Sequence, residues 1–331
     1  MRLNKRYTMK NLIYACAVLA FMMACGTTTK EPAEEVVEVP EETQKYNYSG
    51  NLEMSDMSNY AVVRQLNEAI AQGDMETASS LFADSVSLYL WDGTIYDVTR
   101  DSLMSIMDGY FGEVSNLEII YHAGMAINSP KQNDDWGLNW ATEQYNDSEG
   151  KQMRINYQEN YLIENGKIRS IRQYAQLVPE DAPAMTANEE GEFSYSGSWV
   201  EGDDSLKEVV LGWNNALASP TELETAASYL ADSVTVVMWD GTIVDGTKDS
   251  VMNYVKEFVA GASSLTVDFD AIMVVHSTDM NSDVVMSWTD ERWTDDEGTE
   301  EHMWIHEDYI LENGKIRMVQ QYAMKDSKSK E

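Results

Sequence analysis

Residues 161–169 read Tyr-Leu-Ile-Glu-Asn-Gly-Lys-Ile-Arg, and residues 309–317 read Tyr-Ile-Leu-Glu-Asn-Gly-Lys-Ile-Arg. Asn-Gly between two apolar runs is a strong hairpin signal, because the favoured two-residue turn needs positive φ at both positions. Each stretch therefore predicts two antiparallel strands joined tightly. Working outward, residues 76–175 align without a gap on residues 224–323, with roughly 40 identities per 100 positions. Ala83-Asp84-Ser85-Val86 recurs as Ala231-Asp232-Ser233-Val234, and Trp91-Asp92-Gly93-Thr94-Ile95 as Trp239-Asp240-Gly241-Thr242-Ile243. Tyr48-Ser49-Gly50 recurs as Tyr195-Ser196-Gly197, and Gln173-Tyr174-Ala175 as Gln321-Tyr322-Ala323. Each unit is the size of a domain, so the pattern is a duplication and not a solenoid.

Within each half the hydrophobic period changes once. Val62, Leu66, Ala69 and Ile70 fall on one helical face. Leu206, Val209, Val210, Trp213, Ala216 and Leu217 do the same behind a Ser205…Glu208 capping-box signature. A short second helix is expected near 76–82 and 224–230, then a strand over 86–91 that ends in the Asp92-Gly93 turn. Thr99 or Asp101, and Thr247 or Asp249, read as caps of a third helix. Leu103, Ile106, Met107 and Tyr110 would line it, matched by Val251, Tyr254, Val255 and Phe258. Leu117, Ile119, Tyr121, Ala123, Met125 and Ile127 then alternate with period two, as do Leu265, Val267, Phe269, Ala271, Met273 and Val275. Helices first and antiparallel strands later predict an α+β class, with a curved sheet wrapped over helices.

The chain has 331 residues and a formal net charge of −34. A surface this acidic repels phosphate backbones, which excludes nucleic acid as a partner, and it offers no polybasic patch for anionic lipid. The only cysteines are Cys16 and Cys25, so neither a disulfide framework nor a thiolate zinc site can be built. Asp279, Asn281 and Asp283 have calcium-loop spacing, but Val284 stands where the turn glycine belongs. No phosphate-cradling glycine loop or nucleophile motif is present, and no metal or cofactor is expected.

Arg2, Lys5, Arg6 and Lys10 precede an apolar run from 12 to 24, too short for a spanning helix but suited to a signal-peptide core. Ala24-Cys25-Gly26 closes it and resembles the lipobox of bacterial lipoproteins. That resemblance implies a signal peptide over 1–24, lipidation of Cys25, and an exported chain held at the cell envelope, at the outer membrane or cell surface, by the lipid alone. The alternative is an ordinary signal peptide cut near Ala24, leaving a free thiol. Residues 25–45 carry Pro32, Pro40 and many glutamates and read as a disordered acidic tether. Residues 46–178 and 193–325 are then the two domains, with a Pro- and acid-rich linker over 179–192 and a tail over 326–331.

The helix–helix–strand–helix order, the Phe82-Ala83-Asp84 and Leu230-Ala231-Asp232 helix ends, and the Tyr161…Asn165-Gly166-Lys167-Ile168 hairpin with its Tyr309…Asn313-Gly314-Lys315-Ile316 copy resemble the nuclear-transport-factor-2-like fold, in its SnoaL-like branch. The resemblance implies two cone-shaped domains, each with a pocket between helices and sheet. It further implies that the halves pair through their outer sheet faces as an intramolecular pseudo-dimer. On the penultimate strand, Ile155, Tyr157, Glu159, Tyr161 and Ile163 share a face, as do Met303, Ile305, Glu307, Tyr309 and Leu311. A carboxyl on an apolar face has a raised pKa, as a general acid or base requires. Glu159 and Glu307 are therefore the catalytic candidates, with hydrogen-bonded fastening of the strand as the alternative. Tyr157, Tyr161, Trp140, Tyr309 and Trp288 are the expected pocket lining. Tyr145 and Trp293, on the other strand face with Glu143 and Glu291, are expected at the contact between domains. No histidine supports catalysis, and the first strand lacks the aspartate of the isomerase branch: Leu88-Tyr89-Leu90 and Val236-Val237-Met238 stand there. The leading expectation is a non-catalytic module for a small apolar ligand or a protein partner. The alternatives are an isomerase or cyclase-like lyase, and a structural envelope protein with filled pockets.

Overall fold

The structure is a computed structural model that describes residues 45–179, 182, 185–186, 192–217, 222–261, 263–294 and 298–326. The expected signal peptide with Cys25, nearly all of the expected tether, most of the expected linker and the residues beyond Asp326 lie outside the described residues.

The same series of elements occurs twice. In the first half it runs β1 (Glu53–Met54), α1 (Ser58–Gln72), α2 (Met75–Leu81), β2 (Phe82–Tyr89), β3 (Ile95–Thr99), α3 (Arg100–Gly112), β4 (Ser115–Ser129), β5 (Asp134–Asn146), β6 (Gln152–Glu164) and β7 (Lys167–Leu177). In the second it runs β8 (Trp199–Glu201), α4 (Lys207–Leu217), α5 (Leu223–Tyr229), β9 (Leu230–Val237), β10 (Ile243–Thr247), α6 (Lys248–Gly261), β11 (Ser263–Ser277), β12 (Ser282–Thr294), β13 (Glu300–Glu312) and β14 (Lys315–Lys325). The fold is thus α+β with a mainly antiparallel sheet. Asn165 and Gly166 have φ of 53° and 70°, and Asn313 and Gly314 51° and 71°, which is the turn the Asn-Gly pairs predict. Thr99 caps α3 by accepting from the Ser102 amide. The Ser205–Glu208 capping box does not form. Asp203 caps a short 3-10 turn at 204–206 instead, and α4 begins only at Lys207.

Two separate sheets were expected, and here the structure differs. All fourteen strands form one continuous sheet in the order β1-β4-β5-β6-β7-β14-β13-β12-β11-β8, with β2–β3 and β9–β10 branching off β7 and β14. The join is a single residue pair, Ala175 opposite Ala323. The helices cover one face of each half. Tyr60, Val63, Leu66, Ala69, Leu103, Tyr161 and Ile168 form one core beneath α1–α3, and Val210, Trp213, Leu217, Val251, Tyr309 and Ile316 form its counterpart beneath α4–α6. Full burial of one such Leu contributes about 1.5–3 kcal/mol. The first half reaches close packing through glycine: a Cβ on Gly124 would overlap the Tyr60 ring of α1, and one on Gly137 would crowd Val63 of the same helix.

A third cluster joins the halves across the opposite sheet face. It takes Met125, Leu138, Trp140 and Tyr174 from one side and Met273, Met286, Trp288 and Tyr322 from the other. Two straps cross this seam. The amides of Asn47, Tyr48 and Ser49 donate to the carbonyls of Phe269 and Asp270, and those of Ser194, Tyr195 and Ser196 to the carbonyls of Tyr121 and His122. Both landing points are β-bulges, at Tyr121/Ala123 and Phe269/Ala271. A bulge leaves ladder groups unpaired, and each strap satisfies them from the other half of the chain. The repeated Tyr-Ser-Gly motif marks the straps.

Candidate functional site

Two constellations concentrate polar chemistry in buried positions, one on each face of the sheet.

The first lies beneath the helices. Glu159 and Glu307 are buried, at 6% and 1% exposure. Glu159 accepts from Tyr161 Oη at 2.7 Å, Gln173 Nε2 at 3.1 Å and Asn139 Nδ2 at 3.2 Å. Glu307 accepts from Tyr309 Oη and from Gln321 Nε2 at 3.2 Å. Tyr157, Tyr161 and Tyr309 are buried on the same face. Burial raises the Glu159 carboxyl above its ordinary range, opposed by those three donors. Burial and the neighbouring Glu159 carboxylate push the Tyr161 phenol well up as well.

Each of these glutamates has an acidic neighbour that sequence reasoning placed elsewhere. Asn139 pairs with Glu159 across β5 and β6, so Asn139, Ala141 and Glu143 share the Glu159 face. Ser287 pairs with Glu307 in the same way and puts Glu291 beside it. Burial, and then the charge of Glu159, push Glu143 up to about 8. Burial and Glu307 do the same to Glu291, also to about 8. Each half thus holds two carboxyls in one apolar chamber, and the ionised form of the second is disfavoured. The chambers differ in polarity: Tyr121, Tyr145 and Tyr157 in the first become Phe269, Trp293 and Ile305 in the second.

Trp140 and Trp288 require a correction. They do not line the helix-covered chamber but face the seam between the halves. Tyr145 and Trp293, expected at that contact, share the chamber face instead. Alternation within β5 was correctly read, but which face meets the helices depends on the register against β6. Nothing within one strand encodes it.

The seam is the second constellation. His306, with no exposed surface, sits among Trp288, Trp140, Tyr322 and Tyr174 at ring separations of 4.8, 5.8, 6.0 and 6.3 Å. Its Nε2 lies 2.9 Å from Asp308 Oδ1, and Trp140 Nε1 donates to Asp308 Oδ2 at 2.8 Å. His306 Nδ1 has no partner.

Two cavities flank this centre at corresponding positions of the halves. One, of about 50 Å³, is lined by Tyr48, Trp136, Asn160, Arg172, Tyr174 and Trp288 among others. The other, of about 200 Å³, is lined by Trp140, Tyr195, Trp199, Met286, Asp308 and Tyr322 among others. The difference has a local cause. Trp136, which donates to Tyr48 Oη at 2.9 Å, fills the first, whereas Val284 takes the corresponding place in the second. Arg172 is replaced there by Gln320. Sequence reasoning missed this site because a buried polar stripe such as Gln158–Asn160 reads as solvent-facing.

Asp279 also has a definite role: its Oδ2 accepts from the amides of Gly197 and Ser198 and from Ser196 Oγ, tying down the second strap. Asp92 and Asp240 accept from the amides of Thr94 and Thr242 as turn residues. Among the described residues no helix is long and apolar enough to cross a membrane.

No family model and no curated protein matches the sequence. Among solved structures, the chain is similar to an LEH-like epoxide hydrolase of Mycobacterium tuberculosis, at 12% identity over 36% of this chain and 84% of the other, with a TM-score of 0.31. It is also similar to a nuclear-transport-factor-2-like protein of Burkholderia xenovorans, at 16% identity over 37% and 92%, with a TM-score of 0.29. A putative polyketide cyclase of Pseudomonas putida matches at 15% identity over 36% and 92%, with a TM-score of 0.27.

Proposed function

We propose that the protein is an exported lipoprotein, anchored at Cys25, whose two nuclear-transport-factor-2-like domains of the SnoaL-like type form an intramolecular pseudo-dimer. In this reading it binds a small, largely apolar ligand without transforming it. The observation that carries the reading is the cavity of about 200 Å³ at the seam, walled by aromatic and methionine side chains with a few polar groups. That is the composition of a binding pocket. The ligand was expected in the cones, but the glutamates there already have their carboxylate oxygens occupied by Tyr, Gln and Asn donors. Such saturation suits fastening of the strand more than proton abstraction.

Native mass spectrometry of the gently purified full chain tests this. A stoichiometric small molecule is expected, and Val284→Trp, which restores the filling residue of the first half, should expel it. A chain that is bare, and that takes up no apolar probe, would refute the reading. A second reading, acid–base catalysis of the isomerase or lyase kind, rests on Glu143 and Glu291 being held near pH 8. It requires a turnover that Glu143→Gln and Glu291→Gln together abolish.

A further inference from the structure

Away from the seam cavities, the last strand of each half is tied to the other half in a matching place. The Leu177 amide, at the end of β7, donates to the carbonyl of Trp239 in the second half at 2.7 Å, and the Lys325 amide, at the end of β14, donates to the carbonyl of Trp91 in the first half at 2.9 Å. Both contacts fall on the duplicated Trp-Asp-Gly turn, and both are close. A Cβ on Gly241 would stand 2.7 Å from the Leu177 carbonyl oxygen, and one on Gly93 3.0 Å from that of Asp326. The side chains beside the two strand ends differ. In the first half Arg154 donates to the Ala182 carbonyl at 2.8 Å. The corresponding residue of the second half is His302, whose Nε2 lies 2.8 Å from Asp290 Oδ1 and whose Nδ1 lies 2.8 Å from Asp326 Oδ2. Thr142 and Val178 stand where the second half has Asp290 and Asp326.

Two carboxylates on one imidazole set its charge. A neutral ring carries a single N–H and would turn a lone pair toward one of the two, whereas the imidazolium donates to both. The side chains of His302, Asp290 and Asp326 are mostly shielded from water, so salt screens the pairing weakly. The Trp304 ring lies 4.7 Å from the imidazole, an arrangement that also suits a cation. The surroundings are mainly acidic. Asp268 on β11 stands opposite Asp290 on β12, and Asp270 lies near both. Arg292 pairs with Asp290 and lies 3.9 Å from Asp268. Glu300 precedes His302 on the same face of β13, Lys325 adjoins Asp326, and the first half contributes Asp92 on the turn and Arg172 near Asp270. The hydrogen bond to Asp290, opposed by burial and reinforced by Asp326, keeps the proton on the ring above the ordinary histidine range.

We propose that His302 is a pH-sensitive latch between the halves: as an imidazolium it binds Asp290 and Asp326 together and pins the end of β14 against the Trp91–Gly93 turn, and loss of its proton releases that end. The sign follows from the direction of the shift. The ordinary histidine value is about 6.5, and the native value is higher. The latch therefore contributes fully below pH 6.5 and is lost as pH rises through the native value. Deprotonation leaves one carboxylate facing a lone pair among Asp268, Asp270 and Asp92, with Arg292 already engaged. The contact at Leu177 has no histidine and keeps its strength over the same range. Release frees the Trp91 turn from the second half, and Trp91 packs on Ile155, Tyr157 and Ala175 of the first. The latch thus couples acidity to the wall of one half only.

The test follows the full chain by NMR between pH 6 and 8.5, with nitrogen-15 in the histidine rings to read the charge of His302. Hydrogen exchange of the Lys325 and Leu177 amides is expressed as protection relative to the unstructured rate at each pH. His302 is expected to titrate above pH 6.5, and protection of Lys325 to fall at least tenfold through the same midpoint while that of Leu177 holds. His302→Arg, which installs the residue of the first half, should keep Lys325 protected at pH 8.5. His302→Gln should leave it poorly protected at both ends of the range. Asp326→Asn should move the His302 midpoint down, and this readout stands even where the arginine variant fails to fold. A Lys325 protection that does not change with pH overturns the proposal. So does a fall shared equally by Leu177, a fall that persists in His302→Arg, or a midpoint that Asp326→Asn leaves in place.

Discussion

Replacing Glu291 by Gln should flatten the pH dependence of stability. Glu291 is 4% exposed, and its carboxyl is pushed from 4.5 to about 8 by burial first and by Glu307 second. Below pH 4.5 the group is protonated in both folded and unfolded chains, and the native state carries no penalty. Between pH 4.5 and about 8 the unfolded chain releases the proton while the native state retains it. Stability therefore falls as pH rises, and the loss levels off once the native carboxyl also ionises. At about 1.4 kcal/mol per pH unit the ceiling is roughly 5 kcal/mol. Coupling to Glu307 divides that between the two groups, so about 2–4 kcal/mol is expected from Glu291. Gln keeps the size and the acceptor for Thr289 Oγ1, which donates to Glu291 at 3.1 Å. Urea unfolding at pH 5, 6.5 and 8.5 measures the effect. The variant should lie within about 1 kcal/mol of the wild type at pH 5 and exceed it by about 2–4 kcal/mol at pH 8.5, with the same m-value. Self-repulsion of a chain at −34 acts on both proteins alike. Identical slopes for the two proteins would falsify the claim that this carboxyl is held protonated by its chamber.

Trp140→Phe removes the donor to Asp308 Oδ2 and leaves a buried carboxylate oxygen unmatched; a loss of about 1–3 kcal/mol is expected by denaturant titration, and no loss would mean that the seam is open to water. Asp279→Ala frees the amides of Gly197 and Ser198, and hydrogen exchange should accelerate across residues 194–199 while the core strands stay protected. Cys25→Ser should abolish metabolic labelling with a radiolabelled fatty acid and release the protein from the membrane fraction; labelling that persists would contradict the lipid anchor.

The repeat, the α+β class, the Asn-Gly hairpins and the Thr99 cap were legible in the residues, because each depends on interactions within a few positions along the chain. A turn needs positive φ at Asn165 and Gly166 wherever they sit, and a strand shows its alternation without a neighbour. The single continuous sheet was not legible. It hangs on one pair, Ala175 and Ala323, far apart in sequence and unmarked by any pattern. The face of the sheet that meets the helices was also hidden, so Trp140 and Glu143 exchanged places between expectation and structure. Side chains one position apart point to opposite faces, and only pairing with β6 decides which face is which. The enlarged cavity at the seam is tertiary throughout: Val284, Trp199 and Asp308 gain their meaning when two halves and a strap close around the same space.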